Sequence, residues 1–273
     1  MLVFIVPLIS KLVSKDFEGT SVCLKRTLKS ICNQTSGNFE IIVVCHELPQ
    51  MQFFHKKVHY VGVDFDLSLC IAEKEKTSNN PGLNIIAERH LDKGRKMLFG
   101  YYEAQRFNPT HIMFVDADDL VSNRLAELCE NSPSHYGWYN KKGYRYQENS
   151  RCIYLIRNNF HKECGTAFIF RNDIISAPDP DYNRGFDYYR FFINHAYVVD
   201  KIKKAGYPLS PLPFYGIIYM LHGSSLCATR RFKEKKLTLV RVLKNIINMR
   251  PLSQKVVHEF NLTENIEIVK KQL

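Results

Sequence analysis

The sequence predicts an α/β fold built on a largely parallel sheet, and three observations carry that expectation. Residues 2–6, 39–45 and 111–115 are short continuous apolar runs rich in branched side chains, the pattern of strands covered on both faces. Between the first two, residues 20–32 set Val22, Leu24, Leu28 and Ile31 at helical spacing, which makes a βαβ start. The third run leads directly into Asp116-Ala117-Asp118-Asp119, so carboxylates stand at the carboxyl end of a strand, where open α/β sheets bind ligands.

Taken in order, the first strand is stopped by Pro7, and residues 59–63 read as a third strand after the second. Residues 73–89 are polar, contain Asn79-Asn80-Pro81-Gly82, and are expected to form a mobile loop; residues 94–107 are expected to be helical. Beyond residue 130 the rhythm changes. Residues 136–139, 144–147 and 152–156 read as short strands separated by Lys-Lys-Gly and Glu-Asn-Ser turns, so this half is mixed rather than purely parallel. Residues 165–170 add a strand, residues 187–204 a helix ended by Gly206, and residues 212–221 an extended, Pro-punctuated segment reaching His222. In the basic stretch after Cys227, Leu237, Val240, Leu243 and Ile247 mark one helical face. Asn261, with Glu264 three residues on, is expected to cap a last short helix.

Composition bounds the function. With 273 residues, 45% apolar and 24% charged, the chain is not disordered, collagenous or membrane-spanning, and it can bury a sizeable core. The net charge of +11 is local: residues 230–250 hold eight basic side chains against Glu234, a balance of +7. The remainder is only mildly basic, which speaks against a dedicated nucleic-acid binder, so no nucleic-acid partner is expected. The eight cysteines form no CxxC pair and no zinc-type spacing, and several sit inside apolar runs, which points to a reducing, cytoplasmic setting. The apolar N-terminus reaches Pro7 too soon for a membrane span.

Asp116, Asp118 and Asp119 concentrate three negative charges within four residues and call for a cation; carboxylate oxygens suit Mg2+ or Mn2+ and leave coordination positions for substrate phosphates. The alternative is a solvated acidic turn or the N-cap of a following helix.

Several landmarks follow in order: Phe4-Ile5-Val6-Pro7, residues 28–35 ending in a Ser-x-x-x-Gln element, the strand at 40–44, Phe114-Val115-Asp116-Ala117-Asp118-Asp119, Lys204-Ala205-Gly206-Tyr207 and Leu221-His222-Gly223. Over residues 3–223 this set resembles the family-2 glycosyltransferases of the GT-A fold, a Rossmann-like mixed sheet flanked by helices. The resemblance implies a GT-A domain over 1–228, with a nucleotide-sugar half (1–119) and an acceptor half (120–228), followed by a basic helical extension (229–273).

The resemblance further implies that Pro7 and Asp116 lie at the donor, that Asp116 and Asp118 hold a Mn2+ or Mg2+ ion on the sugar-nucleotide diphosphate, and that His222 is a further ligand. Asp119 either joins the metal or caps the next helix. Two positions depart from the family pattern. The second strand ends in Cys45-His46-Glu47 rather than an acidic pair, so Glu47 is the candidate donor contact there. The expected catalytic Glu-Asp place holds His195-Ala196, which leaves His195 and Asp187 as candidate bases. Lys93, Arg95 and Lys96 stand where relatives place basic residues near the donor phosphates; a solvated helix start is the alternative. Trp138, among the tyrosines at 136, 139, 144 and 146, is either an acceptor-stacking residue or core.

The implied activity is metal-dependent transfer of a sugar from a nucleotide-sugar donor to a hydroxyl acceptor, a glycan or a lipid-linked one, with inversion. The location expected is cytoplasmic; the basic residues 230–250 either bury their apolar face on the catalytic domain or make peripheral contact with an anionic membrane. A catalytically silent nucleotide-sugar or glycan-binding protein is the alternative. A nucleotidyltransferase is disfavoured, because residues 7–16 contain no glycine with which to form a phosphate loop.

Overall fold

The computed structural model describes residues 1–49, 52–68, 70, 81–221 and 246–262, with the backbone alone over 81–88. It has the expected α/β class: a mixed central sheet flanked by helices. The chain forms β1 (Leu2–Pro7), α1 (Phe17–Ile31), β2 (Phe39–Cys45), β3 (Val58–Gly62), α2 (Pro81–Ala104), β4 (His111–Phe114), β5 (Leu120–Val121), α3 (Leu125–Glu130) and β6 (Gly137–Tyr139). There follow β7 (Gly143–Gln147), β8 (Cys152–Ile156), β9 (Phe168–Arg171), α4 (Arg190–Ile193), α5 (Val198–Lys204), β10 (Ser210–Pro211), β11 (Ile217–Leu221), β12 (Met249–Pro251) and α6 (Gln254–Phe260).

Seven strands in the order β10-β6-β9-β4-β1-β2-β3 make the main sheet, in which β1 is parallel to both β2 and β4. Side-chain alternation explains the continuous apolar runs. Leu2, Phe4 and Val6 face α1 through Leu24, Leu28 and Ile31. Val3 and Ile5 face α2 through Leu91, Met97 and Leu98. Because both faces are covered, no position in β1 is free to be polar. Each such side chain, fully buried, contributes about 1.5–3 kcal/mol. α2 lies so close to the sheet that a Cβ on Gly100 would stand 2.4 Å from Ile5 Cγ2. α1 begins at Asp16, whose carboxylate accepts the Gly19 N–H as a helix cap.

A second sheet, β12-β8-β7-β11-β5, stands beside the first. Its outer face, with Tyr146, Ile153, Ile218 and Met220, is covered by Val256, Val257 and Phe260 of α6. Residues 249–251 pair with β8, so this part of the C-terminal extension is built into the domain. The stretch 222–245, with most of the expected basic amphipathic face, lies outside the described residues. Among the described residues no helix is long and apolar enough to cross a membrane.

Three local expectations are corrected, and of the two readings of Trp138 one holds. Residues 81–89, expected as loop, are the first turns of α2; Pro81 takes the first helical position, where its missing N–H costs nothing. The rest of that stretch, 73–80, lies outside the described residues. The single helix expected over 187–204 is broken at Asn194, whose ψ of 70° is not helical, into α4 and α5 with 3-10 turns before each. Asn261 does not start a helix: it ends α6 in the left-handed conformation (φ 53°), and Ser253 is the N-cap. Trp138 is core, 5% exposed and stacked on His135 at 4.2 Å.

Candidate functional site

The main sheet reverses its winding between β1 and β4: the chain moves outward from β1 to β2 and β3, then returns to lay β4 on the other side of β1. At such a switch point the loops leaving the two strands diverge and open a crevice at their carboxyl ends. A cleft of about 190 Å3 lies there. It is lined by Pro7, Leu8 and Ile9 after β1, by Asp16, Thr20 and Cys23 of the loop and α1, by Arg89, His90, Asp92 and Lys93 of α2, and by Asp116, Ala117 and Asp118 after β4.

Lys93 and Asp116 form an ion pair across the cleft, each about a quarter exposed. Burial alone would lower the Lys93 pKa, but the carboxylates of Asp116, Asp118 and Asp119 outweigh it, and the ammonium is held charged with its pKa raised. Beside this pair, burial and the Lys93 charge push His90 down to about 4, so its imidazole is neutral at physiological pH.

Asp119 neither caps a helix nor faces the cleft. It is 1% exposed, and its Oδ2 accepts the Thr166 hydroxyl (2.6 Å) and the Cys164 thiol (3.2 Å). The next helix, α3, starts only at Leu125. Desolvation, then the charges of Asp118 and Asp116, raise the Asp119 pKa well above the carboxylate norm.

The three basic candidates on α2 separate by direction. Lys93 enters the cleft. Lys96 is fully buried and donates to Leu8 O (2.6 Å) and to Asp92 (2.9 Å), while Asp92 accepts the Ser10 N–H (3.1 Å); together they clamp the loop after β1 from behind. Arg95 is also buried, donates to Asp66 O (2.6 Å) and lies 4.9 Å over the Phe65 ring. Neither lines the cleft.

Glu47 accepts the Lys11 N–H (3.0 Å), outside the lining of the cleft. His195 lines a separate small recess with Phe114, Gly165, Phe168 and Phe192. Asp187 is 80% exposed and pairs with Arg190, outside the lining of the cleft; its neighbour Phe186 stacks on the cleft residue His90 (6.3 Å). His222 lies outside the described residues. Sequence reasoning gives no role to Arg89, His90, Asp92 or Thr166; the i, i+4 spacing of Arg89 and Lys93 is the available signal, and it counts only once residue 89 belongs to α2.

Among the described residues no group of three His, Cys, Asp or Glu side chains is arranged around one point. The Asp116 and Asp118 carboxylates, both hard-oxygen groups, line the cleft. That donor set fits a divalent ion bound by two carboxylates and completed by phosphate oxygens.

No protein-family model matches the chain. No curated protein matches it either. Among solved structures, it is similar to residues 1–349 of TarS from S. aureus, at 13% identity and a TM-score of 0.43, over 89% of this chain and 68% of that one. It is also similar to a protein described as a nucleotide-diphospho-sugar transferase from Desulfovibrio desulfuricans (11% identity, TM-score 0.37, covering 99% and 96%). A third is the 2-C-methyl-D-erythritol 4-phosphate cytidylyltransferase IspD of Francisella tularensis (10% identity, TM-score 0.34, covering 90% and 99%). None of these scores reaches 0.5, and the reading of the site rests on its own residues.

Proposed function

We propose that the protein is a nucleotide-sugar-dependent glycosyltransferase that binds its donor in the switch-point cleft and passes the sugar to a hydroxyl acceptor with inversion. The observation that carries this reading is the meeting of opposite charges in the switch-point cleft: Asp116 and Asp118 after β4, with Arg89 and Lys93 of α2 in the same lining and Lys93 paired to Asp116. A diphosphate with a divalent ion is complementary to such a mixed lining, its oxygens to the cations and its metal to the carboxylates.

On this reading Lys93 and Arg89 hold the diphosphate, and the loop at Pro7–Ile9, clamped by Lys96 and Asp92, shapes the nucleoside end. Asp116 and Asp118 would hold Mn2+ or Mg2+, which when bound neutralises the charge growing on the diphosphate as the glycosidic bond breaks. Lys93 does the same from the protein side, and more strongly in the transition state than before it. Asp187 and His195 are the two candidate bases for the acceptor hydroxyl: Phe186, beside Asp187, stacks on His90 of the cleft, and the charge of His195 acts on that same imidazole.

Incubating the protein with a panel of nucleotide sugars and Mn2+ or Mg2+ tests the reading; release of a nucleoside diphosphate, lost in Asp118→Asn, is the expected result. Binding of a nucleotide sugar without any release, with or without acceptors, would instead make this a silent binding protein. That second reading draws on one observation: neither His195 nor Asp187 is part of the cleft's lining. No binding of any nucleotide or nucleotide sugar would sink both. The expectation of membrane contact through 230–250 is tested apart from this, by flotation with anionic vesicles at low and high salt.

A further inference from the structure

The segment 164–166, on the loop before β9, contributes no side chain to the lining of the cleft, yet it touches the acidic turn at three points. The Asp116 N–H donates to Thr166 Oγ1 (2.9 Å). A backbone N–H can only donate, so the hydroxyl must accept there, and its single proton is left for Asp119 Oδ2 (2.6 Å). The result is a directed chain from the Asp116 amide through Thr166 to the buried Asp119 carboxylate, which is further fixed by the Cys164 thiol (3.2 Å). Thr166 is itself fully buried. The third point is a close approach: a Cβ on Gly165 would lie 2.9 Å from Asp116 Oδ2 and 3.0 Å from Lys93 Nζ, so any larger residue there displaces the ends of the paired side chains.

We infer that Thr166 and Gly165 are positioning residues for the Asp116–Lys93 pair, and that Asp119 acts through Thr166 as the buried anchor rather than as a metal ligand. Thr166 sets where the Asp116 backbone stands. Gly165 sets how near the side-chain pair can lie to the wall behind it. The consequence for donor binding rests on the function proposed above, but the positioning itself does not.

The test combines two readouts on Thr166→Val, Thr166→Ser and Gly165→Ala. Hydrogen exchange and the side-chain carboxyl 13C resonance of Asp116 report the turn directly; calorimetric titration with UDP and GDP in Mn2+ reports the donor site. In Thr166→Val the Asp116 amide loses its acceptor, so its exchange should rise roughly tenfold and nucleoside-diphosphate affinity should fall roughly fivefold or more. Thr166→Ser keeps the hydroxyl and should restore both to within about twofold; a packing role would instead leave Ser impaired alongside Val. Gly165→Ala should shift the Asp116 carboxyl resonance and weaken the same ligands while Asp116 amide exchange stays slow, and it decides the matter if Thr166→Val does not fold. Unchanged Asp116 exchange in a folded Thr166→Val, or an unmoved carboxyl resonance in Gly165→Ala, overturns the inference. If the wild type binds neither diphosphate, the proposed donor function falls while the exchange and resonance readouts still decide the positioning.

Discussion

One turn apart on α2 stand two lysine–aspartate pairs of the same chemistry and opposite circumstance. Lys96 and Asp92 are 0% and 1% exposed, closed in beneath the loop after β1, whereas Lys93 and Asp116 are 25% and 28% exposed at the cleft. The closed pair has further partners built in: Lys96 donates to Leu8 O and Asp92 accepts the Ser10 N–H. The open pair keeps about a quarter of each side chain exposed in the lining of the cleft. A buried pair holds shape because either charge alone would be ruinous, while a half-solvated pair can exchange its partner for a ligand at little cost to the fold.

The comparison breaks most visibly at Lys96. Lys96→Met leaves the Asp92 carboxylate buried without its counter-charge and should cost about 3–5 kcal/mol in denaturant unfolding. A loss under about 1 kcal/mol would mean that the clamp is as soft as the open pair.

Next in size is a pH effect confined to the open side. His90 has a pKa of about 4 when folded, below its ordinary value near 6.5 in the unfolded chain. The unfolded state therefore binds the proton more tightly between those values, so this group's contribution is complete above about pH 6.5 and is lost as pH falls toward 4. It amounts to at most about 3 kcal/mol. Thermal unfolding between pH 4 and 7 should show the slope, and His90→Gln should flatten it; an unaltered slope assigns it to other groups.

Lys93→Met should change stability by less than about 1 kcal/mol while weakening nucleoside-diphosphate binding tenfold or more, since a partly solvated pair adds little to folding but a phosphate loses a charged donor. Equal stability losses at Lys93 and Lys96 would erase the distinction between the pairs. The smallest effect expected is that of salt. Raising ionic strength from about 0.05 to 0.5 M should weaken ligand binding through the open pair and leave the stability difference between wild type and Lys96→Met nearly constant, because screening reaches only solvated charge.

The sequence by itself determined six of the seven strands of the main sheet, all but β10, together with the βαβ start, the place of Asp116 and Asp118 at a strand's carboxyl end and the short strands of the second half. Those features depend on local order: period-2 burial on both faces, helical spacing and turn residues, all readable within a dozen positions. What each charged residue does was decided only by tertiary structure. Lys93, Arg95 and Lys96 are neighbours in a basic run, yet helical geometry turns Lys93 to the cleft and the other two into the interior, and nothing in their types distinguishes them. Asp119 reads like its neighbours Asp116 and Asp118 until β9's loop and β11 close over it and bury it against Thr166. A side chain's charge is a property of the sequence, but whether it meets solvent, a partner or a ligand depends on segments fifty residues away, and only the packed fold brings those together.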